Sequence, residues 1–75
     1  MKKVTLNIYD KDRKTNKAID AVMFDKTEYY DMTVYAELVN QNGEDLIHVI
    51  EDVGYMYVEK YYPVKRYAIT GVVIS

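Results

Sequence analysis

Residues 42–54 read NGEDLIHVIEDVG, and they decide which fold the sequence predicts. Asn42 can cap a first helical turn with its side-chain oxygen, and Gly54 suits the left-handed position at which helices commonly end. Between them, the apolar residues recur at the i, i+3, i+4, i+7 spacing that gathers side chains on one helical face: Leu46, Ile47, Val49, Ile50 and Val53. The stretch therefore predicts one helix.

The same stretch supports a competing interpretation. Asn42-Gly43 is a strong signal for a two-residue β-hairpin turn. If it closes a hairpin, residues 46–50 form a strand and the chain becomes a small all-β barrel. We prefer the helix because it accounts for five apolar positions and ends at Gly54 after a sensible length.

The rest of the chain predicts strands. Val4, Leu6 and Ile8 alternate with polar or amphipathic residues, which is the period of a strand with one buried face. Residues 10–17 contain no apolar side chain and predict an exposed hairpin loop. Further strands are predicted over residues 18–25, 32–39, 55–61 and 67–74.

Three details complete this prediction. A helix over residues 28–41 competes with the third strand, but the β-branched and aromatic content favours the strand. The last strand is apolar on both faces, as a central strand would be, and Gly71 within it indicates a bulge or a close backbone approach. Pro63 suits a turn or an edge. The predicted order is βββαββ, an α+β fold with one helix packed on a small antiparallel sheet.

One hydrophobic core is expected, because 75 residues leave room for a single domain, residues 1–75. The predicted core consists of Val4, Leu6, Ile8, Val34, Leu38, Leu46, Ile47, Val49, Ile50, Val53, Val58, Ile69 and Val73. The chain has no cysteine, no signal-peptide pattern and no apolar run long enough to cross a bilayer. A cytoplasmic protein without a membrane partner is therefore expected.

Catalytic and metal motifs are missing from the sequence. There is no cysteine, Ser75 is the only serine, and the three glycines lie too far apart for a phosphate-binding loop. Asp10 and Asp12 begin like a calcium loop, but Lys14 occupies the next ligand position and the pattern fails. His48, the only histidine, is expected to face solvent on an acidic helix. We predict no enzymatic activity, no cofactor and no metal.

Charge is distributed unevenly along the chain. Residues 1–26 carry a net charge of +3 and residues 27–75 carry −5, which gives −2 overall. The acidic part also holds most of the nine tyrosines, and aromatic side chains among charges are typical of protein interfaces. We therefore predict a protein-binding surface made by Glu44, Asp45, Glu51, Asp52, Tyr29, Tyr30 and Tyr35.

Nucleic-acid binding is the alternative function. The hairpin loop and its flanks are basic, and strand tyrosines can stack on unpaired bases while the cations hold phosphates. This hypothesis uses Lys11, Arg13, Lys14, Lys17, Tyr9, Tyr55 and Tyr57. It is second choice because the chain is acidic overall.

In size, missing chemistry and acidic, aromatic composition, the chain resembles the short single-domain accessory proteins of bacteriophages and mobile elements, anti-CRISPR proteins among them. No motif carries this likeness, and no site residue follows from it. The resemblance implies a protein that binds and inhibits a host protein. A homodimer is also expected, because small apolar sheets leave edges that need pairing.

Overall fold

The computed structural model describes residues 3–24 and 35–74, which form one curled antiparallel sheet. Within these residues there are six strands and no helix. The predicted α+β fold is therefore wrong, and the alternative all-β architecture fits the chain better. The strands are β1 (Lys3–Asp10), β2 (Thr15–Val22), β3 (Ala36–Gln41), β4 (Glu44–Asp52), β5 (Tyr57–Pro63) and β6 (Tyr67–Ile74).

Asn42 and Gly43 form a hairpin turn between β3 and β4. Their φ angles are +53° and +80°, and Gln41 pairs directly with Glu44 across the turn. Two successive positive φ angles define a type I′ turn, whose twist matches that of the flanking strands. Asn42 is thus a turn residue and does not cap a helix.

The predicted helix is strand β4, and its burial explains the error. Residues 46–49 are buried on both faces of the sheet. Ile47 and Val49 face the main core, whereas Leu46 and His48 lie on the opposite face. A strand buried on both faces has apolar residues in near succession, and such a run also satisfies the spacing of a helical face.

Strand β4 joins the two halves of the sheet. Its Leu46-to-Asp52 segment pairs with β5 along one edge. The other edge pairs first with β3 and then, at Ile50 and Glu51, with the end of β2. Strand β2 continues through β1 to β6. The short β2–β4 contact lets the halves fold towards each other as a half-barrel.

The core lies inside this half-barrel. Val4, Leu6 and Ile8 project from β1, as their alternation predicts, and all three are almost fully buried. Tyr35, which precedes β3, and residues of neighbouring strands complete the core: Ile19, Ala21, Ala36, Ile47 and Val49. Leu46 is also buried, but three residues of the predicted core are exposed: Leu38, Val53 and Val73. Val34 lies outside the described residues.

Strand β6 has the predicted bounds, but its position within the sheet differs from the prediction. It pairs with β1 alone among the described strands, so it is an edge strand rather than a central one. The predicted irregularity at Gly71 is confirmed, because the register with β1 shifts between Asn7 and Ile8. A Cβ at Gly71 would lie 3.3 Å from Nδ2 of Asn7, so the side chain of Asn7 occupies that space.

The remaining strands are shifted relative to the prediction. Strand β2 begins at Thr15, inside the predicted loop, and β5 begins at Tyr57 and ends with Pro63. The described part of the predicted 32–39 strand forms β3, which extends to Gln41. The predicted connection over residues 26–31 lies outside the described residues.

Candidate functional site

The acidic residues predicted to bind protein do not share one surface. Glu44 and Asp45 begin β4, whereas Glu51 and Asp52 end it. At about 3.3 Å per residue, extended chain separates the two pairs by roughly 23 Å. A helix would have brought all four within two turns, so the change of secondary structure divides the predicted surface.

Each of these carboxylates has a partner within the chain. Glu44 lies 3.3 Å from Lys65 Nζ, and Asp45 accepts a hydrogen bond from the Asn40 amide. Glu51 accepts a hydrogen bond from the Tyr62 hydroxyl.

Asp52 accepts hydrogen bonds from the Gly54 backbone amide and from Lys3 Nζ, which together lower the pKa of its carboxyl. Of the predicted tyrosines, Tyr35 is buried in the core, and Tyr29 and Tyr30 lie outside the described residues.

A different group of apolar side chains is exposed at the turn between β4 and β5. Gly54 has a φ of +104°, and the Val53 amide donates a hydrogen bond to the Met56 carbonyl, which closes the turn. Tyr55 is 87% exposed. We call the four exposed side chains of this turn the tyrosine tip: Val53, Tyr55, Met56 and Tyr57.

The turn between β1 and β2, residues 11–14, is called the basic loop, and it lies at the opposite end of the sheet from the tyrosine tip. Lys3, where β1 begins, pairs with Asp52 beside the tip, and the basic loop follows Asp10, where β1 ends. The structure therefore separates Tyr55 and Tyr57 from the cations with which the nucleic-acid hypothesis grouped them. Tyr9, at the loop end of β1, is half-buried and lies on the face opposite to Ile8.

Several contacts tie the basic loop to the turn between β5 and β6. The Lys11 amide donates a hydrogen bond to the Arg66 carbonyl, and Lys11 Nζ donates one to the Val64 carbonyl. The Asp10 carboxylate accepts hydrogen bonds from the backbone amides of Asp12 and Arg13. The loop is therefore fixed from both sides.

Asp10 also receives two hydrogen bonds from Arg66. Arg66 Nε lies 3.1 Å from Oδ1, and Nη2 lies 3.0 Å from Oδ2. The Arg66 hydrogen bonds, followed by those of the Arg13 and Asp12 amides, hold the pKa of Asp10 at about 2. The carboxylate is thus charged at neutral pH, and it orients both the loop and the guanidinium.

These residues border a pocket of about 290 Å³ at the loop end of the half-barrel. Its lining includes an apolar side chain of β1, two tyrosines that meet edge to face, a hydroxyl and three cations. The residues are Ile8, Asp10, Arg13, Thr15, Lys17, Tyr62, Arg66 and Tyr67. We call it the cationic pocket.

Sequence reasoning found Arg13 and Lys17 of this pocket but missed Arg66, Tyr62 and Tyr67. Tyr62 directly precedes Pro63, and Arg66 and Tyr67 follow it. No local sequence pattern connects these residues with a loop some 50 residues earlier. Only the pairing of β6 with β1, which sets Tyr67 opposite Asp10, brings them together.

His48 is buried, contrary to the prediction that it faces solvent. Its Nδ1 lies 3.2 Å from Glu37 Oε1, and its Nε2 lies 2.9 Å from Glu59 Oε1. The imidazole stacks on the Tyr61 ring at a centroid distance of 4.7 Å and lies 5.1 Å from the Phe24 ring. The two carboxylates bond to different ring nitrogens, so this cluster orients the histidine within the β3–β4–β5 layer.

Comparison with known protein families, with curated proteins and with solved structures finds no match to this chain. Among the described residues, no group of three or more histidine, cysteine or acidic side chains is arranged to hold a metal ion. In the same part of the chain, no helix is long and apolar enough to span a membrane. The candidate sites therefore rest on their geometry alone.

Proposed function

We propose that this protein is a non-enzymatic binding module that recognises a protein partner through the tyrosine tip. The observation that carries the proposal is the exposure of four large apolar side chains within five successive residues, 53–57, at the end of the β4–β5 hairpin. Tyrosine and methionine are enriched at protein interfaces, because their side chains bury large areas on docking.

The charge next to the tip supports the same proposal. Asp52 and Lys3 form an ion pair at its base, with a Lys3 Nζ to Asp52 Oδ2 distance of 3.1 Å. An apolar centre with charged residues at its edge is the common arrangement of a protein interface. Under this proposal the acidic residues predicted to bind protein mainly form contacts within the chain. Asp52, for example, stabilises the turn by accepting a hydrogen bond from the Gly54 amide.

The test compares the wild type with a Tyr55→Ala/Tyr57→Ala variant. Leu38→Ala is the matched control, because Leu38 is 66% exposed on β3 and lies outside the tip. Immobilised proteins are exposed to cell lysate, and the captured protein is purified and titrated against each variant. We expect the tip variant to bind at least tenfold more weakly, as hot-spot truncation does. Equal affinity of all three proteins for that partner would refute the proposal.

Sedimentation of the isolated protein identifies the partner class. A dimer that the tip variant loses and the Leu38→Ala variant keeps would show that the tip pairs with a second copy of this chain. A monomer that still captures a partner through the tip would assign the surface to another protein.

A further inference from the structure

The cationic pocket has a net positive lining that the binding-module proposal does not use. Arg13, Lys17 and Arg66 contribute three positive charges, and Asp10 contributes one negative charge. Within residues 3–24 and 35–74, the side chains of Arg13 and Lys17 form no ion pair, so no described carboxylate neutralises their charges. Arg66 bonds to Asp10 through Nε and Nη2, and its Nε also lies 3.6 Å from Asp12 Oδ2, whereas Nη1 takes no part in either pair.

The pocket is also held in shape before any ligand arrives. Lys11 bonds to the carbonyls of Arg66 and Val64, and Asp10 bonds to the Arg13 amide and to the Arg66 guanidinium. These bonds fix the loop that carries Arg13 relative to the turn that carries Arg66. A loop whose backbone is already fixed needs less ordering when an anion binds, and this favours affinity.

The rest of the lining indicates what kind of anion fits. The rings of Tyr62 and Tyr67 supply an aromatic wall, with the Arg66 guanidinium 5.2 Å from the Tyr67 ring centroid, and the Thr15 hydroxyl supplies a further polar contact. A volume of about 290 Å³ lies just below the roughly 300–1,000 Å³ range of small-molecule sites, which suits a small ligand. Several cations beside an aromatic wall match a ligand with a doubly charged phosphate at one end and a flat ring at the other.

We propose that the cationic pocket binds a single nucleotide through its terminal phosphate, whether the nucleotide is free or at the 5′ end of a single strand. Arg13 and Lys17 contact the phosphate, with Arg66 directed by Asp10. Tyr62 and Tyr67 provide the surface for the base. This site lies at the other end of the sheet from the tyrosine tip and is independent of it.

The proposal is tested by calorimetric titration of the intact protein with adenosine monophosphate, adenosine and inorganic phosphate. We expect adenosine monophosphate to bind most tightly, and its affinity to fall between about 50 mM and about 200 mM salt. The Arg13→Gln/Lys17→Gln variant should bind it at least tenfold more weakly. Lys60→Gln/Lys65→Gln is the control, because it removes the same charge from exposed positions outside the pocket.

A second titration distinguishes the two sources of the nucleotide. Short single strands with and without a 5′ phosphate are compared at equal length. Tighter binding of the phosphorylated strand than of adenosine monophosphate would assign the pocket to a strand end, and the reverse order would assign it to a free nucleotide. Lack of binding of both adenosine monophosphate and the phosphorylated strand at low salt would overturn the proposal. Equal binding by the pocket variant, with its fold confirmed by circular dichroism, would overturn it as well.

Discussion

Arg66 donates two hydrogen bonds to the carboxylate of Asp10, although the two residues lie 56 positions apart in the chain. The pair joins the end of β1 to the turn before β6, and the same carboxylate holds the backbone of the basic loop. One charged residue thus organises the loop end of the half-barrel. Its ionisation should be visible in the stability of the whole domain.

Acidification should weaken the fold through Asp10. The folded-state pKa of this carboxyl is about 2, below its ordinary value of 3.8. A lowered pKa contributes stability that is present above pH 3.8 and is lost as the pH falls through 2. In urea unfolding between pH 6 and pH 2, the wild type should therefore lose its advantage over Asp10→Asn at low pH. Asp20→Asn, an exposed change on β2, is the control, and a constant difference between wild type and Asp10→Asn would contradict the assignment.

Gly43→Ala should destabilise the β3–β4 hairpin. Gly43 has a φ of +80°, where a Cβ is strained, although no neighbouring atom would touch it. We expect a loss of about 1 kcal/mol in the free energy of unfolding, measured by urea denaturation. Asn42→Gly is the matched change, since glycine also adopts the φ of +53° found at Asn42. Equal stability of Gly43→Ala and the wild type would argue against the type I′ turn.

Leu6→Ala and Leu38→Ala should differ sharply in stability. Leu6 is completely buried in β1, whereas Leu38 is 66% exposed on β3. Removing the Leu6 side chain leaves a cavity and should cost about 2–5 kcal/mol of unfolding free energy. The exposed substitution should stay within about 0.5 kcal/mol of the wild type. Thermal and urea unfolding measure the stability of both variants. Similar losses of unfolding free energy would show that the burial assigned to the two leucines is wrong.

His48→Ala should cost about 2 kcal/mol in unfolding free energy. The variant loses the stacking of the imidazole on Tyr61 and the hydrogen bonds to Glu37 and Glu59. His48→Phe should recover part of this loss, because it restores the ring but not the hydrogen bonds. Tyr55→Ala, at the exposed tip, is the control. A loss below about 0.5 kcal/mol for His48→Ala would show that the histidine faces solvent.

The local patterns predicted part of this fold correctly. The alternation of Val4, Leu6 and Ile8 identifies β1 and its buried face, because a half-buried strand requires a period of two. Gly71 marks the irregular pairing of β6 with β1, where the Asn7 side chain needs space. Asn42-Gly43 contained the right signal for the hairpin. The helix prediction is wrong because the apolar residues on both faces of β4 also satisfy the spacing of a helical face.

Sequence by itself determined that the chain forms antiparallel strands, carries a basic loop and has no disulfide, since these follow from composition and local periodicity. Tertiary structure alone decided that β4 is a strand, because only the fold shows that both of its edges are paired, one with β3 and β2 and the other with β5. It also decided which residues share a site. Arg66 meets Asp10, and Tyr55 is separated from Arg13, because strand pairing fixes distances between residues that the order of the chain leaves open.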